Sequence, residues 1–263
     1  MNLAILFWFY KEVDICENRL QLLKKYNPNM KIFGLYGGTQ KESEKYEHIL
    51  GEYLDDFYIF DGTADVNWKW INGDLMILDW YDKRGKMLIW DSVVVVQWDM
   101  LVFDSLKSQF ANLNKGEIYL SGLRSLDSSI EKRWHWTNTY SGERKNYLAF
   151  LEYVKKEYGY EDRPPMCCLF VLQVFPKVFF EKYLTVKDKE IGMLEYKVPM
   201  YAKIFGIPFF KKDMGIYWSM SQSVSNNAPL NAKAVEVSHG FIEKELHKKD
   251  GWRIFHPYFK MWN

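Results

Sequence analysis

Asp99 has the setting that most calls for chemistry. It stands in VVVVQWDMLVF, close behind four valines. A carboxylate there is costly to bury unless it is paired, hydrogen-bonded or bound to metal. Where a strand leaves the core and faces a cleft, an Asp can hold a divalent cation, which in turn neutralises a diphosphate. An Asp that caps a neighbouring helix or pairs with a lysine fits the same spacing, and both readings stay open. Other chemistries are disfavoured by the motifs. There is no G-x-x-x-x-G-K-[ST] phosphate loop, no G-x-G-x-x-G after the first apolar run and no G-x-S-x-G elbow. Cys16, Cys167 and Cys168 form no C-x-x-C pair, so neither a zinc site nor a disulfide framework is expected.

Composition narrows the partners. The 263 residues carry 35 Lys+Arg against 34 Asp+Glu, a formal net charge of +1. A stripe basic enough to neutralise many phosphates would tip that balance, so no nucleic-acid partner is expected. A hydrophobic content of 48% excludes a disordered chain. Aromatics reach 18%, with 11 Trp; such side chains build cores, and they also stack on bases and sugar rings. The apolar run Leu3 to Tyr10 is far shorter than the about 20 residues of a membrane span, and no basic region precedes it. No transmembrane segment is expected. The cysteine pattern and the lack of N-x-S/T sites point to a cytoplasmic location.

A sheet has to position these residues. Leu3 to Tyr10, Lys31 to Tyr36, Asp56 to Phe60 and Ser92 to Phe103 read as strands. Between them, Asp14 to Tyr26, Glu42 to Leu50 and Asn67 to Tyr81 read as helices. This alternation predicts a mostly parallel sheet whose ligands bind beyond the carboxyl ends of the strands. The later half is less regular. Met166 to Val174 reads as a strand, a helix led by Pro176 follows, and a helix from Glu195 to Phe205 carries Pro199 in its first turn. Ile207 to Phe210 and Trp252 to Phe255 are further strand candidates. No linker is visible, so residues 1–263 are expected to form one domain, with a 1–110 half and a 111–263 half.

An αβ half closed by an apolar strand with an acidic end resembles the GT-A-type glycosyltransferases. Their Asp-x-Asp motif is matched here by Gln97-Trp98-Asp99, with Gln97 in place of the first Asp. The resemblance implies a Rossmann-like central sheet flanked by helices, with a second lobe on the acceptor side. It implies a nucleotide-diphosphate sugar donor, UDP-linked above all, and a glycan hydroxyl acceptor. Asp99 and His256 would hold Mn2+ or Mg2+, or the diphosphate directly in a metal-independent variant. Tyr10 would stack on the base, Asp61 and Asp74 would bond ribose or base, Lys69 would approach phosphate, and Gln97 and Trp98 would line the donor. Glu195, at the entry to a helix, would be the general base of an inverting transfer, although a Glu there is also favoured by the helix dipole, and a retaining transfer stays open. Trp134, His135 and Trp136 would receive the acceptor. A binding protein that kept this fold without turnover, and an interaction protein with an aromatic interface, are the alternatives.

Overall fold

The computed structural model describes residues 1–218 and 227–263. The first half runs β1 (Leu3–Phe9), α1 (Val13–Tyr26), β2 (Ile32–Tyr36), α2 (Ser43–Leu50), β3 (Asp56–Ile59), α3 (Val66–Ile71), α4 (Gly73–Lys83) and β4 (Ser92–Gln97). Next come β5 (Leu101–Val102), α5 (Leu106–Gln109), β6 (Tyr119–Leu120), β7 (Arg124–Ser125), α6 (Ser128–Glu131), α7 (Arg144–Tyr158) and β8 (Met166–Cys167). The chain continues with β9 (Gln173–Pro176), α8 (Lys177–Leu184), α9 (Leu194–Ile204), β10 (Ile216–Tyr217), β11 (Leu230–Asn231), α10 (His239–His247) and β12 (Ile254–Phe255).

The fold is mixed α/β around a six-stranded sheet of order β3-β2-β1-β4-β9-β6. β1, β2, β3 and β4 are mutually parallel, and β9 lies antiparallel between β4 and β6. Both faces of the sheet are covered, which is why its parallel strands read as unbroken apolar runs. Ala4, Leu6, Val93 and Val95 face one core with α4, α8 and α9. Ile5, Phe7, Val94 and Val96 face the other with α1. No described helix is long and apolar enough to cross a membrane.

Five elements differ from expectation. The Trp-rich helix breaks at Asn72 into α3 and α4. There Gly73 lies so close to Trp8 that a Cβ would stand 2.4 Å from the indole. The strand expected from Ser92 to Phe103 stops at Gln97; after a turn at Trp98-Asp99, β5 pairs antiparallel with β12 instead. The apolar run from Met166 to Val174 is divided between β8 and β9 by a loop at 168–172. Pro199 lies inside α9 rather than in its first turn. A proline has no N–H for the carbonyl four residues back. The freed Glu195 carbonyl instead accepts from Cys168 N at 2.8 Å, tying that loop to α9. Of the expected strand Ile207 to Phe210, a single bridge from Phe209 to Ile118 forms.

Candidate active site at the carboxyl ends of the strands

Asp99 and His256, far apart in sequence, meet beyond the end of β4. The pairing of β5 with β12 carries His256 there, with its Nε2 3.3 Å from Asp99 Oδ1. Both residues are buried. His256 Nδ1 sits 2.8 Å from the Asn231 carbonyl, so a proton on that nitrogen fixes the ring and leaves Nε2 toward the carboxylate. Burial, the largest single effect, lowers the imidazole pKa, but the Asp99 charge and the hydrogen bonds to Asp99 and the Asn231 carbonyl together outweigh it and the pKa is raised. Among the described residues Asp99 Oδ1 meets only the His256 ring and accepts no other hydrogen bond, which leaves coordination capacity on that carboxylate. As a metal site, this pair supplies two ligands. Among the described residues no group of three His, Cys, Asp or Glu could hold an ion. The pair therefore fits an ion that takes its remaining ligands from a diphosphate and water, as Mg2+-type sites do.

Gln97 and Glu195 grip opposite sides of Phe170. The Gln97 amide donates to the carbonyls of Phe170 at 3.0 Å and Val171 at 3.2 Å. Glu195 Oε1 accepts from Phe170 N at 2.9 Å, and its Oε2 accepts from the Trp136 indole N–H at 3.2 Å. Glu195 lies in the first turn of α9 and is 8% exposed. Burial pushes its carboxyl up to about 7, against the two hydrogen bonds that favour the charged form. A group poised there changes protonation near neutral pH, as general bases do.

The remaining expected residues divide in two. Tyr10 ends β1 half-exposed, edge-on to Trp98 at 5.9 Å. Lys69 reaches the end of β2 and donates to the Gly37 carbonyl at 2.8 Å. Asp61 is exposed at the end of β3 and pairs with Lys83 at 3.2 Å. His135 is exposed and its ring lies 5.1 Å from Trp136. Three residues instead have their side chains committed to the interior. Trp98 is buried and stacks on Phe259 at 5.9 Å, so what it offers a donor is its backbone. Trp134 wedges between Tyr196 and Trp218. Asp74 is buried beneath α9, ion-paired with Lys197 at 3.2 Å and hydrogen-bonded by the Tyr183 hydroxyl. A ribose would have to displace that pair, which corrects the expectation for Asp74.

Several participants escaped the sequence reading. Arg19 is buried on α1 and donates to the carbonyls of Tyr258 and Lys260 at 2.8 and 2.6 Å. It thereby straps the segment after His256 to α1. Burial lowers its pKa to about 10, with the Asp99 charge opposing. Glu12, just after Tyr10, is a non-glycine residue at φ 56, a conformation that costs about 1–3 kcal/mol and clusters at functional loops. Lys197 is buried; it also donates to Asn72 Oδ1 at 3.0 Å and to the Lys189 carbonyl at 2.9 Å. Removing one partner of a buried pair leaves the other charge uncompensated. Lys197→Met is therefore expected to cost about 3–5 kcal/mol in urea unfolding, and adding Asp74→Asn should recover part of the loss. An unchanged midpoint in Lys197→Met would show that the pair is not holding α9 on α4.

No family profile and no curated protein sequence matches the chain. Among solved structures, it is similar to the apo structure of the bifunctional glycosyltransferase WbbM, with 12% identity and a TM-score of 0.47. That likeness covers 98% of this chain and 46% of the other, so the chain spans less than half of that protein. It is also similar to the apo form of mouse xyloside xylosyltransferase 1, with 10% identity, 99% of each chain and a TM-score of 0.45. A third is a cytidylyltransferase from Leptospira borgpetersenii, with 14% identity, 80% of this chain, 75% of the other and a TM-score of 0.41.

Proposed function

We propose that this protein transfers a sugar from a nucleotide-diphosphate donor, UDP-linked by preference, to a glycan hydroxyl. The observation that carries the reading is the meeting of Asp99 with His256 beyond β4, at the sheet edge where α/β folds bind ligands. The nucleotide lies across the ends of β1 and β2, with its base on the half-exposed Tyr10 ring. Lys69 approaches the phosphates from α3. Asp99 and His256 would hold Mn2+ or Mg2+ there, and the chemistry such an ion supplies is neutralisation of the leaving diphosphate. Glu195 takes the proton of the acceptor hydroxyl, which arrives in the place held by the Trp136 N–H. The outcome is inversion at the anomeric carbon.

The Gln97 amide is turned to backbone carbonyls, so an ion held here would find one protein carboxylate rather than two. UDP affinity is therefore expected to rise when Mn2+ replaces EDTA, but not to vanish under chelation. Equal affinity in the two buffers would remove the metal from this account. A second reading, donor binding without turnover, is favoured by one observation: both Glu195 oxygens already hold protein donors. Nucleoside diphosphate release over many turnovers, with and without acceptor, distinguishes the two.

A further inference from the structure

Trp70 stands out among the large exposed side chains. Its indole is 62% exposed, although the helix that carries it is held firmly. Asp65 caps α3 by accepting from Asn67 N and Trp68 N. Trp68 stacks on Phe60 at 5.9 Å with the rings 10° from parallel, and Lys69 is tied to the Gly37 carbonyl. Val66, one turn before Trp70, is 76% exposed. The Trp70 ring leans on Trp136 at 4.9 Å and 58°, and Trp136 is the indole that donates to Glu195. A largely exposed ring, held in place, therefore lies one side chain away from the buried carboxylate, with Trp136 between them.

We infer that Trp70 is the stacking platform for a pyranose ring of the acceptor and so sets acceptor specificity. This inference rests on the transferase reading above. The chemistry of the corner selects the occupant. A pyranose has one apolar C–H face and a rim of hydroxyls; the face matches the largely exposed indole, and the rim faces the exposed His135, whose ring also lies against Trp136. Trp70 lies against Trp136, the donor to Glu195, whereas the Asp99–His256 pair belongs to the turn beyond β4 and the segment after β12.

Saturation-transfer NMR with the methyl pyranosides of glucose, galactose, mannose and xylose tests it. At least one should take up saturation through its C–H face in the wild type. Trp70→Ala should weaken that binding at least about ten-fold, as truncation of an aromatic anchor does, and Trp70→Phe should restore part of it. UDP affinity should be unchanged in both variants. No contact with any of the four sugars, or binding that survives Trp70→Ala, overturns the inference. So does concentration-dependent self-association in sedimentation that Trp70→Ala abolishes, because the ring would then belong to an interface between copies. Pyranoside binding without affinity for any sugar nucleotide would keep the platform and reject the transferase. Turnover with none of the sugars touching Trp70 would do the reverse.

Discussion

Asp99→Asn is expected to weaken donor binding at least about 30-fold and to leave a folded protein. The size is the lower end of what losing one partner of a buried charge pair costs, about 2 kcal/mol. Asn keeps the volume, and the Asp99 backbone carbonyl still accepts from Tyr258 N at 2.8 Å, so the local chain course survives. The same variant has a second readout. Burial lowers the pKa of His256, and it is raised only because the Asp99 charge and hydrogen bond, with the Asn231 carbonyl, outweigh that effect. Without that charge burial prevails, and the imidazole pKa should fall. NMR titration of His256 checks this directly. Unchanged donor affinity with a shifted His256 would make the pair a structural link; an unshifted His256 would contradict the geometry itself.

Glu195→Gln is expected to slow transfer by at least about 100-fold with donor affinity nearly unchanged, because a general base acts in the transition state. Its pH dependence follows from the raised carboxyl, at about 7 in the fold. A base works deprotonated, so the wild-type rate should climb as pH rises through about 7 and level off above it. The residual rate of the variant should lack that step. Transfer at the wild-type rate would place the base elsewhere. A variant that loses stability without a change in pH profile would reduce Glu195 to the residue that holds Phe170 and Trp136 in place.

The parallel half of the sheet was legible because strands covered on both faces leave unbroken apolar runs, as in LAILFWF and SVVVV. Asp99 and His256 could each be picked out by their place at a strand end. Their meeting could not, because it depends on a two-residue pairing of β5 with β12 that has no periodic signature. Asp74 and Lys197 were misleading or silent for one reason. A charge on a helix reads as solvated, and only the packing of α4 against α9 puts the two in the interior together. The loop at 168–172 read as strand because apolar residues in a buried loop look the same as in a strand. What gives it away is three-dimensional: the Glu195 carbonyl freed by Pro199 and the Gln97 amide both close on it.

The central claim is that the ends of these strands bind and turn over a sugar nucleotide. The most direct measurement is nucleoside diphosphate release from a panel of UDP-, GDP- and TDP-sugars, each with and without glycan acceptors, in wild type and Asp99→Asn. The account predicts release from at least one donor, UDP-linked by preference, stimulated by an acceptor and strongly reduced in Asp99→Asn. No release from any donor, with no sugar nucleotide raising the melting temperature, would contradict it.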